Sequence, residues 1–260
     1  MDKVYFMNLN ISDTGVIIEG LTSVSALINA IKNGNNNRII KRIFVSEASA
    51  SKKRREMSFL KHSADALGFP IEIVSDESID NIAQGCSHGG IIALCSERMF
   101  ESALGKPLPK NGLYALLDGI EDPYNYADTI RSLYAAGFDG VVLPPRNWTS
   151  ADNIVIKSSA GTSELLDTFV DEPVQAVSYF RNSGYTIVCA GIRDSVSLYD
   201  ANLKAPLLLI IGGEKRGISR SLLDLSDITV RIDYGRPFMG SLTTASSAAV
   251  IAFEIMKQNK

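Results

Sequence analysis

The residues best placed to do chemistry stand in four short runs of a 260-residue chain. The first, D-G-I-E-D-P-Y-N-Y-A-D-T-I-R-S at 118–132, holds Asn125 and Arg131 six residues apart, close to two helical turns. They are either an amide and a permanent cation at a site, or an Asn N-cap and a solvated arginine. The second, I-I-G-G-E-K-R-G-I-S at 210–219, places Gly212, Gly213 and Gly217 around Glu214. Paired glycines allow close backbone approach to a ligand, and equally a plain strand-to-helix turn. It is no phosphate loop, because G-K-[ST] is missing, and its spacing is not G-x-G-x-x-G. The third, I-D-Y-G-R-P-F-M-G-S-L-T-T-A-S-S-A-A-V at 232–250, leads from Ile232 through a Gly/Pro loop to Ser241, Leu242 and Thr243. Its hydroxyls are candidate ligands or ordinary N-caps, and Ala245 to Ala249 suit a closely packed helix. The fourth, S-S-A-G-T-S-E at 158–164, could do no more than cap the next element.

Periodicity supplies the elements that position these runs. Strands are expected at Leu113–Leu117, Gly140–Leu143, Tyr185–Ala190, Leu207–Ile211 and Ile228–Ile232, with helices near 126–136, 152–159, 173–183, 219–224 and 242–257. The continuously apolar Leu207–Ile211 is what a parallel strand covered on both faces requires. In such sheets ligands bind beyond the carboxyl ends of the strands, where three of the four runs fall. Upstream, Val24, Leu27, Ile28 and Ile31 give a helix capped by Thr22 or Ser23 and stopped at Asn33-Gly34-Asn35. A second helix carries Met57, Leu60, Ala64 and Leu67 and ends at Gly68; strands are expected at Ile39–Val45, Ile71–Val74 and Gly90–Cys95, and a short helix at Ile79–Gln84. The segment E-S-A-L-G-K-P-L-P-K-N-G, 101–112, has the composition of a linker, so the chain divides into 1–100, a linker at 101–112, and 113–260.

Composition removes several classes. Apolar residues are 45% and charged residues 21%, which is ordinary globular usage and excludes disorder, collagen and coiled coil. The longest aliphatic run, Leu207 to Ile211, is far short of the ~20 residues that span a bilayer, and MDKVYFMNLN lacks a leader's basic and apolar regions. A cytoplasmic protein with no membrane association is expected. Cys86, Cys95 and Cys189 form no C-x-x-C pair, and with only His62 and His88 beside them no metal is expected. The net charge of −3 does not announce a nucleic-acid binder, but a local patch suffices for one. The candidate patch is Arg38, Lys41, Arg42, Lys52, Lys53, Arg54, Arg55 and Lys61, joined on the second domain by Arg146 and by Trp148, which either stacks on an unpaired base or packs its own loop.

Taken in order, D-P-x-N with Arg131, then S-S-A-G, G-G-E-x-x-G and S-L-T-T, the second domain resembles the SpoU (TrmH-type) RNA ribose 2′-O-methyltransferases over about 113–257. The first domain resembles the ribosomal-protein-like RNA-binding module of the rRNA-modifying and thiostrepton-resistance members. Glu19-Gly20 precedes its first helix, and Ser87-His88-Gly89-Gly90 stands where the family has H-Q-G.

The resemblance implies an α/β fold: a C-terminal parallel-sheet domain with a deep trefoil knot, preceded by a small α/β RNA-binding domain. It implies a homodimer through the knotted domain, S-adenosylmethionine as cofactor and RNA, most often rRNA, as partner. Gly212, Ile232 and Leu242 would contact the cofactor, with Gly191, Gly213 and Gly217 lining the same pocket. Asn125, Arg131, Glu214, Ser241 and Thr243 match catalytic or substrate-positioning residues, and the cations of the patch, with Arg146 and Trp148, would take the RNA. Two departures stand out: Thr243 replaces the asparagine of S-L-N-V-S, and Ala127 the glycine of N-x-G. The expected activity is transfer of a methyl group to a ribose 2′-hydroxyl; the alternative is a silent or slowed RNA-binding homologue.

Overall fold

The computed structural model describes residues 15–260, so the MDKVYFMNLN run, expected to be no leader, lies outside the described residues. The chain forms two compact units. One runs to Met99 and takes in Trp148–Leu165; the other comprises Phe100–Asn147 and Leu166–Lys260.

In the first unit the chain runs through β1 (Val16–Glu19), α1 (Leu21–Lys32), β2 (Ile40–Ser46), α2 (Glu47–Lys52), α3 (Arg54–Leu67), β3 (Ile71–Val74), α4 (Asp76–Ile82) and β4 (Ile91–Cys95). The strands lie in the order β1-β4-β2-β3, β4 antiparallel to both neighbours and β2 parallel to β3. Alternation along the strands builds two apolar layers. Ile43, Val45, Ile91 and Ala93 pack under Val24, Leu27 and Ile28 of α1 and Met57 and Leu60 of α3. Ile17, Phe44, Ile92 and Leu94 pack on the other face with Ile79 and Ile82 of α4. The residue before α1 is Gly20, at φ 84°, with no side-chain cap. The helix therefore opens ahead of Thr22 and Ser23, neither of which caps it.

The second unit begins with β5 (Leu113–Asp118), α5 (Pro123–Ala135) and β6 (Gly140–Leu143). The chain then contributes Trp148–Leu165 to the first unit, with α6 (Asp152–Ser158) and α7 (Thr162–Leu165). Ile156 enters the α1/α3 core. Gly161, at φ +81°, brings α7 so near α1 that a Cβ there would fall 2.5 Å from that of Ala26. The glycine of S-S-A-G is thus a packing glycine of the first unit. Returning, the chain forms β7 (Asp167–Val170), α8 (Pro173–Asn182), β8 (Thr186–Ala190), β9 (Val196–Ser197), β10 (Leu207–Gly212), α9 (Arg220–Leu223), β11 (Ile228–Arg231) and α10 (Thr244–Gln258).

Among the described residues the second sheet has seven strands in the order β7-β6-β5-β10-β8-β11-β9, every pairing parallel. A parallel sheet in an α/β second domain is what periodicity led us to expect. The division at 101–112 reads differently in three dimensions. Glu101 pairs with Phe169, Ala103 is buried, and the Tyr179 hydroxyl donates to the Lys106 carbonyl at 2.6 Å, so this stretch packs onto the second unit. Its Pro/Gly content reports missing periodicity, which does not preclude burial. Nor is 113–260 continuous, since 148–165 belongs with the first unit.

Candidate functional site

The second sheet brings the glycine runs together by register. Gly212 pairs with Asp118, while Ile210 faces Cys189, which in turn faces Thr229. Two residues further on, Asp118, Gly212, Gly191 and Arg231 form one line across β5, β10, β8 and β11, with Ile232 one step beyond. Neighbouring strands are ~4.8 Å apart, so Gly212 to Ile232 spans about 10 Å, the reach of one nucleoside.

The loops at this edge require their glycines. A Cβ on Gly212 would lie 2.3 Å from the Gly217 carbonyl carbon, and one on Gly213 would lie 2.0 Å from the Gly119 carbonyl oxygen. The Gly213 N–H donates to the Asp118 carbonyl at 2.7 Å, Gly217 N–H returns to the Gly213 carbonyl at 3.0 Å, and Ser219 N–H donates to Asp118 Oδ2 at 2.9 Å. Gly217 sits at φ +64° with open space beside it. Asp118 escaped the reading of the sequence, although a carboxylate ending an apolar strand before glycine is a recognisable signal. Gly191 N–H donates to the Val230 carbonyl at 2.9 Å, which ties the β8 and β11 ends.

The candidate catalytic residues stand on the loops and helices that follow these strands. Asp122 caps α5 by accepting from Tyr124 N–H and Asn125 N–H at 3.0 and 2.8 Å, with Pro123 in the first turn. Asn125 therefore lies inside the first turn and is not the cap. Arg131 is exposed and, among the described residues, makes no ion pair. Glu214 is also exposed. Lys215 Nζ pairs with Glu121 Oε2 at 2.7 Å across two post-strand loops, and this hydrogen bond holds the Glu121 carboxyl below its usual range. At α10 the two threonines divide the work. Thr243 caps the helix, accepting from Ser246 N–H at 3.2 Å and meeting Ser246 Oγ at 3.0 Å; Thr244 Oγ1 donates to the Gly212 carbonyl at 3.3 Å. Leu242 N–H donates to the Tyr234 hydroxyl at 3.1 Å, and Ser241 is exposed.

Of the expected RNA contacts, two are withdrawn by burial. Arg38 is 3% exposed, with its guanidinium on Asp152 Oδ2 at 2.7 Å and Glu164 Oε2 at 2.8 Å. Burial opposes its charge, but the two carboxylates outweigh it and raise its pKa. An arginine followed by an apolar strand looks like a surface cation only because its partners are over 110 residues away. Trp148 is 7% exposed, so it packs its own loop and offers no face to a base. Arg42 is half-buried, bonded to Glu72 at 2.5 Å and 6.0 Å from the Phe44 ring. Arg146 is exposed. Lys52, Arg54 and Arg55 are exposed, and Lys53 Nζ donates to the Gly89 carbonyl at 2.6 Å. These four cluster at the start of α3, against Glu56 as its one first-turn acid. Cations at that end oppose the helix dipole by roughly 0.3–1 kcal/mol each, a cost that an anionic partner relieves.

Among the described residues no group of three His, Cys, Asp or Glu could hold a metal, and no helix is long and apolar enough to cross a membrane.

A parallel sheet with glycine loops at its carboxyl edge offers the ligand place of α/β sheets, and the first unit bears exposed cations. The comparisons with known proteins supply the class. Residues 112–253 match the SpoU rRNA methylase family, and residues 17–100 match the RNA 2′-O ribose methyltransferase substrate-binding module. The chain belongs to the SpoU rRNA methylase family, as its motif order implied. It is 28% identical over 206 residues to the 23S rRNA (guanosine-2′-O-)-methyltransferase RlmB of Shewanella oneidensis, covering 77% of this chain and 83% of that one. The RlmB of Xylella fastidiosa is 25% identical over 247 residues, covering 92% and 96%. In fold the chain is similar to the AdoMet-bound rRNA methyltransferase of Sinorhizobium meliloti, at TM-score 0.76 and 19% identity over 93% of this chain and 86% of that one. The SpoU methyltransferase AviRb of Streptomyces viridochromogenes, in complex with AdoMet, gives TM-score 0.74 and 21% identity over 93% and 89%.

Proposed function

We propose that the chain methylates a ribose 2′-hydroxyl in rRNA, with S-adenosylmethionine held at the carboxyl edge of the second sheet. The observation that carries this reading is the register line Asp118–Gly212–Gly191–Arg231, which aligns the three loops inside the family-matched span. The fit to the cofactor is physical. Gly217 leaves open space at the edge, a Cβ on Gly191 would fall 3.0 Å from Thr229 Cγ2, and Ile232 and Leu242 are half-buried apolar walls. Gly212, Gly213, Gly191, Gly217, Ile232 and Leu242 would hold the cofactor, which supplies an electrophilic methyl when bound.

Most of the catalysis then lies in holding the hydroxyl at near-attack distance. Arg131 is permanently charged and free of competing carboxylates, so it holds the adjacent phosphate and stabilises the developing alkoxide. Asn125 orients the ribose, and Glu214 sets the loop that follows Gly213. Ser241 lies beside the substrate. Thr243 has its hydroxyl engaged in the α10 cap, so its role is to fix the helix start. The absence of the family's asparagine at Thr243 motivates a second reading, a slow or silent RNA-binding homologue. The exposed Ile192, Tyr199, Phe238, Met239 and Phe253 support a homodimer through the second unit. The loop after β11, by family resemblance, carries the knot. The chain's place of work is the cytoplasm, with its rRNA.

Calorimetric titration with S-adenosylmethionine, followed by methyl incorporation into an unmodified 23S rRNA transcript, tests both readings. Binding at one site per chain with incorporation supports the enzyme; binding of RNA without cofactor supports the silent homologue; neither refutes both.

A further inference from the structure

We propose that the cleft between α1 and α3 binds one unpaired nucleotide of the RNA substrate, with its base on Phe59 and its phosphate on Arg55. This rests on the proposed action on RNA. The cleft measures about 330 Å³ and opens to solvent; it is lined by Leu21, Ser25 and Asn29 of α1 and by Arg55, Glu56 and Phe59 of α3. That is near the lower end of small-ligand sites, ~300–1,000 Å³, and suits one base better than a duplex. Leu21, Ser25 and Asn29 recur every four residues, as do Arg55 and Phe59, so each helix turns one stripe to the cleft.

The rim of a seam between two packed helices is normally polar, and here it holds one half-buried ring, Phe59, with Ser25, Asn29, Arg55 and Glu56 around the cleft. The Lys32 ammonium lies 5.6 Å from its centroid and is itself held by the Ser63 hydroxyl at 2.9 Å. An aromatic face stacks on any base. The Asn29 amide offers the paired donor and acceptor that a base edge requires, and Arg55 can grip a phosphate bidentately. Exposed Lys52 and Arg54 extend the positive surface to the neighbouring phosphates. The cleft lies inside the span that matches a substrate-binding module, so its cations face the expected polyanion.

The test uses the full chain and an unmodified in vitro transcript of 23S rRNA. Phe59→Leu keeps an apolar side chain against the core but removes the ring; Arg55→Ala and Asn29→Ala remove the polar contacts. Phe59→Leu is expected to weaken transcript binding about 5- to 150-fold, the range for loss of one stacked base. Phe59→Tyr restores it. In methyl transfer the effect falls on KM while kcat at saturating RNA holds, and melting stays within about 2 °C of wild type, so folding is not the cause. Folded Phe59→Leu and Arg55→Ala proteins that bind the transcript as wild type does overturn the cleft alone. Loss of free GMP binding in Phe59→Leu with transcript binding unchanged assigns the cleft to a free nucleotide and overturns the RNA strand as its ligand. Failure of the wild-type chain to bind any transcript removes the RNA reading first, and the cleft with it.

Discussion

Arg38→Ala separates a buried structural ion from an RNA contact. The side chain is 1% exposed and bonds Asp152, Glu164 and the Ser96 carbonyl, at 2.7, 2.8 and 3.0 Å. Removing it strands two buried carboxylates, and breaking a buried pair from one side costs about 3–5 kcal/mol. At about 2–4 °C per kcal/mol for a chain of this size, the first unit should melt roughly 6–20 °C lower. The assay is thermal unfolding by circular dichroism beside transcript binding at several salt concentrations. RNA affinity of the folded variant should be unchanged, and the salt slope with it, whereas loss of a phosphate contact flattens the slope by about one. The two carboxylates differ in sign. Burial lifts Asp152 to about 6 against Arg38's pull, so the native state takes up a proton below that pH and gains stability as pH falls from about 6 towards 4. Burial also acts on Glu164, but Arg38 and Arg98 outweigh it and lower its pKa, so its contribution is present above the unfolded carboxylate range and lost in acid. Asp152→Asn should therefore be mild at pH 7 and abolish the gain between 6 and 4, while Glu164→Gln should destabilise strongly at pH 7. A melting temperature within about 2 °C of wild type for Arg38→Ala, together with a flatter salt slope, refutes the reasoning.

Gly213→Ala would drive a Cβ into the Gly119 carbonyl, 2.0 Å away, and should abolish S-adenosylmethionine binding by calorimetry; Gly217→Ala meets open space and should cost only the strain of φ +64°, about 1 kcal/mol by chemical denaturation. Arg131→Ala should abolish methyl transfer to the transcript and leave cofactor affinity within about twofold, because an oxyanion- or phosphate-holding side chain does not touch the cofactor; an equal loss of cofactor binding would sink its role. Reversing the charge of Lys52, Lys53, Arg54 and Arg55 together should weaken RNA binding and flatten its salt dependence by filter binding. Thr243→Ala should lose about 1 kcal/mol of helix capping, whereas Thr243→Asn keeps a cap and should raise turnover if the family's amide matters.

Much of the architecture could be read from period alone. Val24, Leu27 and Ile28 of α1 and the run Leu207–Ile211 of β10 occur in patterns that only a one-sided helix and a two-sided strand satisfy, and both are buried as that demands. The allegiance of 148–165 could not be read this way. Val155 and Ile156 have the same helical spacing whichever core receives them, and what assigns them to the first unit is a set of contacts far apart in sequence. Arg38 meets Asp152 and Glu164 there, and Lys157 Nζ meets the buried Glu19 at 2.8 Å. A charged residue carries no mark of its partner, so Arg38 reads from sequence as exposed, the default of its type.

The site shows the same division between what one position dictates and what only pairing reveals. Gly212 and Gly213 were visible because their requirement is steric and local: no side chain fits where the backbones of two loops touch. Thr243 and Thr244 were not separable, because two adjacent hydroxyls at a helix start have identical prospects until the helix axis is known. Once α10 begins at Thr244, the cap falls to Thr243 and the neighbouring hydroxyl turns back to Gly212. That bond joins the start of the last helix to the end of β10. A substitution at Thr244 should therefore disturb the cofactor edge more than one at Thr243, though the motif alone ranks them the other way.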